Sequence, residues 1–123
     1  MPHVTLEYTA GLPAEIATRP LFRRLHRLLA DAGGIDIGNC KSRSVAREEH
    51  LLGEESADTA GTPWVHLEVR ILEGRSRDVT AAVGSGLLEA LREAYAVVDP
   101  PPQVTVEIRE MPKDLYFKWV PQG

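Results

Sequence analysis

The sequence is poor in cysteine and in long apolar segments. Its one cysteine, Cys40, excludes an intramolecular disulfide, which suits a reducing compartment. No apolar run approaches the ~20 residues that a helix needs to cross a bilayer, and the first residues lack the basic segment and apolar core of a secretion signal. We therefore expect a cytoplasmic protein with no membrane partner, in which Cys40 is a small packed residue.

Positive charge is also scarce. The 123 residues contain 14 Lys and Arg against 18 Asp and Glu, which gives a net charge of −4. A general nucleic-acid binder needs a basic surface, so no nucleic-acid partner is expected. Any anionic substrate must instead be attracted by a local cluster of cations.

Signatures of metal sites and of activated serine nucleophiles are missing as well. His3 and His66 lack helical ligand spacing and have no acidic or Cys partner in register, so they do not form a metal-site pattern. No Gly-x-Ser-x-Gly motif is present, and Gly84-Ser85-Gly86 falls inside a helical stripe rather than in a phosphate loop. We expect no bound metal, and we assign His26 and His50 to the surface.

What the sequence does contain is an internal repeat. Residues 2–7 match residues 63–68 at an offset of 61, with Pro, Val, Leu and Glu identical at four of six positions. The same offset brings Ser44-Val45 onto Thr105-Val106. Each half also has the order strand, helix, strand, which favours duplication. We predict one domain over residues 1–123, made of the halves 1–61 and 62–123.

Apolar periodicity predicts the fold class. Alternating residues indicate three strands, helical spacing indicates two helices, and a more polar strand is placed within Asn39–Arg47. Two β-α-β units imply parallel pairs with right-handed crossovers and helices that cover one face of the sheet. We therefore predict an α+β fold with duplicated β-α-β units, one four-stranded mixed sheet and two helices on one face. The apolar positions are Val4, Leu6, Tyr8, Val65, Leu67, Val69, Ile71, Val104, Val106 and Ile108 in strands, and Leu21, Leu25, Leu28, Leu29, Ala32, Val79, Val83, Leu87, Leu91, Ala94 and Val98 in helices.

Turn and cap residues mark the helix ends. Pro20 fits the first turn of the first helix, and Gly33-Gly34 fits its end. Ser76 is a suitable N-cap for the second helix, with Asp78 in its first turn. Three prolines at 100–102 end that helix before the last strand.

Three further regions have alternative interpretations. The second face of the sheet, with Thr5, Glu7 and His66 among its residues, is either solvated or packed against other subunits. The acidic, Gly-rich stretch 48–62 is predicted to be a loop or a hairpin. The tail 111–123 carries four large apolar residues and is expected to dock on its own domain or on a neighbour.

Pro2 is the first candidate for chemistry. If Met1 is removed, the ring nitrogen becomes a free secondary amine, and α-amino groups titrate at about 7.7–8.0. Such an amine at the start of a strand can act as a general base on a carbon next to a carbonyl or along a dienol. The alternative is that Pro2 indicates only that Met1 is removed.

Two clusters of cations are the second candidates. Lys41-Ser42-Arg43 forms a basic strand segment, and Arg75 lies in the turn that opens the second helix. Arginine binds carboxylates in a bidentate manner, and loops at element ends gather into sites. We select Arg43 and Arg75 as functional residues and assign Arg47 and Arg77 to the solvated surface.

The chain resembles the tautomerase superfamily, and within it the 5-carboxymethyl-2-hydroxymuconate Δ-isomerases. The matching stretches are Met1-Pro2-His3, Lys41-Ser42-Arg43, Val65-His66 through Gly74-Arg75-Ser76, and Val106-Glu107-Ile108 with Tyr116-Phe117-Lys118. The shorter members of that superfamily are about half as long as this chain and form one β-α-β unit, in agreement with the internal repeat.

The resemblance implies a homotrimer whose sheets face its centre, a catalytic Pro2 as general acid and base, and no cofactor. It implies that Arg75 binds a substrate carboxylate or polarises a carbonyl, with help from Lys41 and Arg43. It also implies an anionic substrate from the bacterial breakdown of homoprotocatechuate, an aromatic acid. The family often has Arg where this chain has Lys41, which keeps the charge but loses the bidentate fork.

The main hypothesis is therefore a cofactor-free isomerase that moves a proton in an unsaturated keto dicarboxylate. A second keeps the proline but changes the chemistry to keto–enol tautomerisation, hydration or dehalogenation. A third is a ferredoxin-like module that only mediates oligomerisation, since a fold alone does not decide function.

Overall fold

The computed structural model describes residues 2–54 and 62–122. The elements follow one another as strand β1, helix α1, strands β2 and β3, helix α2 and strand β4. A short 3₁₀ turn precedes β2 and another follows β4. The bounds are β1 His3–Thr9, α1 Arg19–Gly33, turn Ile37–Asn39, β2 Lys41–Arg47, β3 Trp64–Leu72, α2 Arg77–Tyr95, β4 Gln103–Met111 and turn Lys113–Leu115.

The four strands form one mixed sheet in the order β2-β1-β3-β4. Strand β2 is parallel to β1, and β4 is parallel to β3, while β1 and β3 are antiparallel. Each parallel pair is joined through one helix, as a β-α-β unit requires. The predicted fold class is confirmed.

Both helices pack on the face of the sheet that carries the alternating Val and Leu side chains. The apolar residues of β1 and β3 on that face are buried, and those of β4 are half-buried, as are some residues of the helical stripes. Each buried Leu or Val contributes about 1.5–3 kcal/mol relative to exposure. The best-buried members are Val4, Leu6, Leu25, Leu29, Val65, Leu67, Val69, Ile71, Val83, Leu87, Leu91 and Tyr95.

The predicted end of α1 and start of α2 are confirmed, but α2 ends at Tyr95, so Val98 lies beyond the helix in which it was predicted. Gly34 has φ 64° and its N–H bonds to the carbonyl of Ala30 at 3.0 Å, while Ser76 accepts from the amide of Val79 at 3.2 Å. Ala32, predicted to lie in the apolar stripe, is exposed, and the buried position is Gly33. A Cβ on Gly33 would lie 3.2 Å from Val83, so the close approach of the two helices favours glycine there.

The centre of the sheet pairs Leu6 with Leu67, which are 61 residues apart. Because Leu6 and Leu67 are equivalent positions of the two halves, an approximate two-fold axis would pass between β1 and β3. The register also shows that aligning Ser44 with Thr105 is wrong by one residue, because Leu6 pairs with Ser44 while Leu67 pairs with Val106. Residues of β2 therefore correspond to residues of β4 that are 62 positions later. Duplication of the two halves stays a prediction.

The carboxyl-terminal segment is attached through few contacts. The hydroxyl of Tyr116 hydrogen-bonds to His3, and Lys118 Nζ donates to Asn39 Oδ1 at 3.4 Å. The other large apolar side chains of the tail are exposed: Leu115, Phe117, Trp119 and Val120. The amide of Lys113 also donates to Glu73 Oε2 at 3.3 Å. The tail therefore docks on its own domain through polar contacts, and its apolar residues remain available to a neighbour.

The stretch between β2 and β3 has no helix or strand as far as Glu54, and the part of the predicted loop at 55–61 lies outside the described residues. Among residues 2–54 and 62–122, no helix combines the length and the hydropathy that crossing a membrane requires.

Candidate active site

Pro2 is the residue immediately before β1, and it is buried. Its carbonyl accepts a hydrogen bond from the amide of Lys41 at 3.0 Å, which ties the start of β1 to the start of β2. Strand alternation places Pro2 on the same side as Val4, facing the helices. Because β3 is antiparallel to β1, the carboxyl end of β3 at Leu72 lies at this same end of the sheet.

Arg75 is brought to that end by the turn between β3 and α2. Gly74 has φ 125°, a conformation that favours glycine, and reverses the chain there. Arg75 Nε donates to the carbonyl of Gly33 at 2.6 Å, and Nη1 donates to the carbonyl of Leu72 at 3.4 Å. The guanidinium is thereby fixed at the C-terminus of α1, where the helix dipole favours a cation.

Lys41 and Arg43 lie on the opposite face of the sheet, which the helices leave uncovered and which we call the open face. Arg43 Nε donates to Thr5 Oγ1 at 3.3 Å, and its Nη2 lies 2.9 Å from His3 Nδ1. Lys41 Nζ donates to the carbonyl of Asn39 at 3.4 Å.

The four predicted site residues thus form two groups at one end of the sheet. Pro2 and Arg75 are on the side of the helices, and Lys41 and Arg43 are on the open face. The backbone of Lys41, hydrogen-bonded to Pro2, connects the two groups. Arg47, assigned to the surface, instead pairs with Glu7 at 3.0 Å further along β2.

His3 and Tyr116 complete the open-face group, and neither was selected from the sequence. His3 Nε2 lies 2.9 Å from the Tyr116 hydroxyl, and the two rings meet edge to face with centroids 5.8 Å apart. With Arg43 and Arg70 they line a cleft of about 410 Å³. The 113 residues between His3 and Tyr116 explain why a local pattern could not reveal this contact.

A second cleft, of about 520 Å³, lies on the open face at the other end of the sheet, next to Trp64. It corresponds by the pseudo-two-fold relation to the first cleft. There the carbonyl of Pro63 accepts from the amide of Gln103 at 2.9 Å, as that of Pro2 accepts from Lys41. Its lining includes Glu7 and Glu49 beside Arg47, and the nitrogen of Pro63 is an amide within the chain. Although this cleft is larger, acidic and basic side chains are mixed in its lining, and the proline at this end of the sheet cannot provide an amine.

The remaining histidines are engaged in local contacts. His66 Nδ1 lies 2.6 Å from Thr105 Oγ1. His26, predicted to be at the surface, is half-buried against β2 with Nε2 2.5 Å from Ser42 Oγ, and burial lowers the pKa of His26. The ring of His50 packs against Trp64 with its Nδ1 buried, so its surface assignment is also wrong.

Cys40 and the acidic residues offer little for redox or metal chemistry. The Cys40 thiol is half-buried and donates weakly to the carbonyl of Asp36 at 3.8 Å. Burial raises the pKa of Cys40, which keeps the thiol protonated and unreactive. Within the described ranges, three or more His, Cys, Asp or Glu side chains do not come together as a metal would need.

The chain is similar to known proteins in sequence and in structure. The sequence pattern of the family described as 5-carboxymethyl-2-hydroxymuconate isomerase matches residues 2–120. No curated protein matches the chain in sequence.

Three solved structures illustrate the structural likeness. A 5-carboxymethyl-2-hydroxymuconate isomerase from Deinococcus radiodurans R1 is 29% identical with a TM-score of 0.78, covering 96% of this chain and 88% of that one. A 5-carboxymethyl-2-hydroxymuconate delta-isomerase is 18% identical with a TM-score of 0.78, covering 98% and 89%. A fused 4-OT wild-type symmetric trimer is 17% identical with a TM-score of 0.73, covering 90% and 86%.

The match over residues 2–120 extends from the proline that precedes β1 to beyond the Tyr116 contact, so it includes every site residue described above. The tautomerase-like fold is shared by all three solved structures. This chain belongs to the 5-carboxymethyl-2-hydroxymuconate isomerase family and is an isomerase.

Proposed function

We propose that this protein isomerises an unsaturated hydroxy acid of the 5-carboxymethyl-2-hydroxymuconate type, a dienol with several carboxylates, with the amine of Pro2 as general acid and base after removal of Met1. The observation that carries the proposal is the position of Pro2, buried before β1 and tied to Lys41 at the end of the sheet where Arg75 is fixed. Burial disfavours the charged form of an amine, which keeps a base competent near neutral pH.

In the reaction, the proline amine takes a proton from the hydroxyl of the dienol and returns a proton to the far carbon of the conjugated system. The hydroxyl becomes a ketone and one double bond shifts, so the atoms of the substrate and product are the same. The amine ends in its starting state. These two proton transfers require no cofactor, because the substrate supplies both the proton and the electrons that move.

The cations bind the charged ends of the substrate. Arg75 offers a guanidinium whose orientation is set by two backbone carbonyls, which suits a carboxylate or a developing enolate oxygen. Lys41 and Arg43 attract a second carboxylate from the open face. In an acidic protein of net charge −4, these residues supply the local positive potential that a substrate with several carboxylates needs.

We also propose that the protein is a homotrimer, that it is cytoplasmic and that it acts in the breakdown of aromatic acids. Support for the trimer comes from the exposed apolar tail, from the polar face of the sheet that the helices leave uncovered, and from a fused 4-OT neighbour that is a symmetric trimer. The edge strands β2 and β4 could pair with neighbouring chains.

The test is turnover of 5-carboxymethyl-2-hydroxymuconate, followed in the ultraviolet, by wild type, Pro2→Ala and Pro63→Ala. Pro63 is the matched control because it precedes β3 as Pro2 precedes β1 and has the same backbone hydrogen bond. Pro2→Ala should lose about 10²- to 10⁴-fold in turnover, and Pro63→Ala should stay near wild type. Equal rates in all three would reject the proline base.

One observation favours a second proline-dependent activity. Lys41 is a point charge where the family often has Arg, so a substrate carboxylate meets no bidentate fork there. A panel of keto acids and halo-acrylates tests this directly. Faster turnover of one of these compounds would reassign the substrate while leaving Pro2 as the base. Membership of an isomerase family argues against the purely oligomerising module.

A further inference from the structure

The imidazole of His3 lies between two polar side chains on the open face. Its Nδ1 is 2.9 Å from Arg43 Nη2, and its Nε2 is 2.9 Å from the Tyr116 hydroxyl. The three residues come from β1, β2 and the tail, so they form a chain of hydrogen bonds across three separate segments.

The donors and acceptors fix the protonation state of His3. A guanidinium can only donate, so His3 Nδ1 must accept from Arg43. A neutral imidazole then carries its hydrogen on Nε2 and donates it to the oxygen of Tyr116. A protonated His3 would turn an N–H toward Arg43, and that hydrogen bond would be lost.

The charges around His3 also favour the neutral ring. Arg43 and Lys41 face it from β2, and Arg70 pairs with it from β3. Burial lowers the pKa of His3, and the positive charges of Arg43, Lys41, the amino terminus and Arg70 lower it further.

Acidic side chains near the same cleft are already engaged. Glu68 of β3 accepts from Arg70 Nε at 2.8 Å and lies 3.6 Å from Arg109 of β4. Met111 is the contribution of β4 to the cleft lining, and Tyr116 is that of the tail. No carboxylate is paired with His3 among the contacts of the described residues.

The same chain of hydrogen bonds restrains Arg43. Thr5 holds Nε and His3 holds Nη2, so two of the three guanidinium nitrogens are used within the protein. Nη1 has no hydrogen-bond partner within residues 2–54 and 62–122 and belongs to a side chain that lines the 410 Å³ cleft. A guanidinium held in this way is preorganised for an anion, which reduces the entropy cost of binding.

We propose that His3 is a positioning residue, supported by Tyr116, that holds Arg43 ready for a substrate carboxylate only while its ring is neutral. Protonation of His3 releases Arg43 and weakens binding of the anionic substrate without changing the proton transfer at Pro2. The inference rests on the proposed function and adds a pH-dependent control of substrate binding to it.

The kinetic test measures kcat and KM between pH 8 and pH 5 for wild type, His3→Ala, His3→Asn and Arg43→Ala. Arg47→Ala is the matched control, because it removes an arginine from the same face of β2 at a distance from His3. At pH 8, His3→Ala should raise KM about tenfold, as expected for a loosened charge-assisted contact, with kcat changed far less. His3→Asn, whose amide oxygen can accept from Arg43, should recover most of that loss.

The pH profiles separate positioning from a general structural role. Wild-type KM should rise in acid as His3 gains its proton, and this rise should vanish in His3→Asn and in Arg43→Ala. Arg47→Ala should keep the wild-type rise. An unchanged acid rise in His3→Asn, or a wild-type KM in His3→Ala, would overturn the proposal.

A measurement without substrate distinguishes failure of the inference from failure of the proposed function. Nitrogen NMR of the histidine rings at pH 8 should show His3 with its hydrogen on Nε2. In Arg43→Ala, the titration of His3 should shift to higher pH, because the positive charge next to the ring has been removed. A hydrogen on Nδ1 would reject the inference even in an active enzyme, and the Nε2 tautomer in an inactive one would leave it standing while rejecting the function.

Discussion

Arg75 and Gly33 are 42 residues apart, yet Arg75 Nε donates to the carbonyl of Gly33 at 2.6 Å. The bond joins the turn before α2 to the end of α1, at the end of the sheet where β1 begins. Gly33 is itself buried where the helices approach closely. A residue expected to bind substrate is therefore also a structural link between the two halves.

Arg75→Ala should consequently affect both activity and stability. We expect about a 100-fold loss in kcat/KM from losing a preorganised cation, and about 1–2 kcal/mol of unfolding free energy from losing charge-assisted hydrogen bonds. Arg75→Lys should recover part of the activity, because it keeps the charge without the fork. Steady-state kinetics and urea unfolding measure the two effects.

The control for that variant is Arg77→Ala, two residues later, which is exposed at the start of α2. It should change kcat/KM by less than about twofold and stability by less than about 0.5 kcal/mol. Equal losses in the two variants would show that general positive charge matters here, and not the fixed guanidinium of Arg75.

Stability should fall in acid because two histidines are held neutral. The pKa of His26 is lowered by burial and that of His3 by burial and nearby cations, relative to 6.5. Below pH 6.5 the unfolded chain therefore binds protons that the folded chain does not, and the free energy of unfolding decreases as pH falls toward the folded-state values.

His26→Gln tests this relationship, since glutamine can hydrogen-bond to Ser42 without titrating. Urea unfolding between pH 8 and pH 5 should show a weaker loss of stability in His26→Gln than in wild type. An identical slope in both proteins would mean that His26 gains its proton as easily in the folded state as in the unfolded chain.

The central leucine pair should dominate core stability. Leu6 and Leu67 are each 0% exposed and lie opposite one another where the two halves of the sheet meet. Leu67→Ala should cost about 2–5 kcal/mol through lost transfer energy and the cavity left behind. Leu51→Ala makes the same change at a residue that is 72% exposed, and it should cost less than about 0.5 kcal/mol in the same unfolding assay.

The exposed tail gives a test of assembly. Phe117 and Trp119 are more than four-fifths exposed in the single chain, at 85% and 82%. Light scattering should give a mass three times that of the 13.6-kDa chain, and Trp119→Ser should promote dissociation on dilution. Val97→Ser is the control, because Val97 is an equally exposed apolar residue outside the tail, and it should leave the assembly intact. A monomeric wild type at micromolar concentration would contradict the trimer.

The fold could be predicted to a large extent because its signals are local. Alternation at Val4, Leu6 and Tyr8 is a property of neighbouring residues, and a cap such as Ser76 acts within one turn. The alignment of Ser44 with Thr105 is wrong by one residue, because it depends on how many residues each half uses between its first and second strands. Sequence periodicity does not report that length.

The site could be predicted only in its separate parts. Pro2, Arg43 and Arg75 are candidates because they are reactive or charged residues near element ends, which is local information. The role of Lys41 follows from the family resemblance. The division of these four residues between two faces of the sheet depends on the tertiary structure. The hydrogen bond of His3 to Tyr116 spans almost the whole chain, so neither its existence nor its effect on the protonation of His3 could be read from a pattern.

The most direct test of the account addresses the free amine of Pro2. Intact mass would first identify protein that has lost Met1, and the same sample would be assayed with 5-carboxymethyl-2-hydroxymuconate beside a variant carrying one extra residue before Pro2. That variant keeps the proline ring but converts its nitrogen to an amide. We predict fast ultraviolet change in the first sample and a loss of at least about 100-fold in the second. Equal rates in the two samples would contradict catalysis by the N-terminal proline.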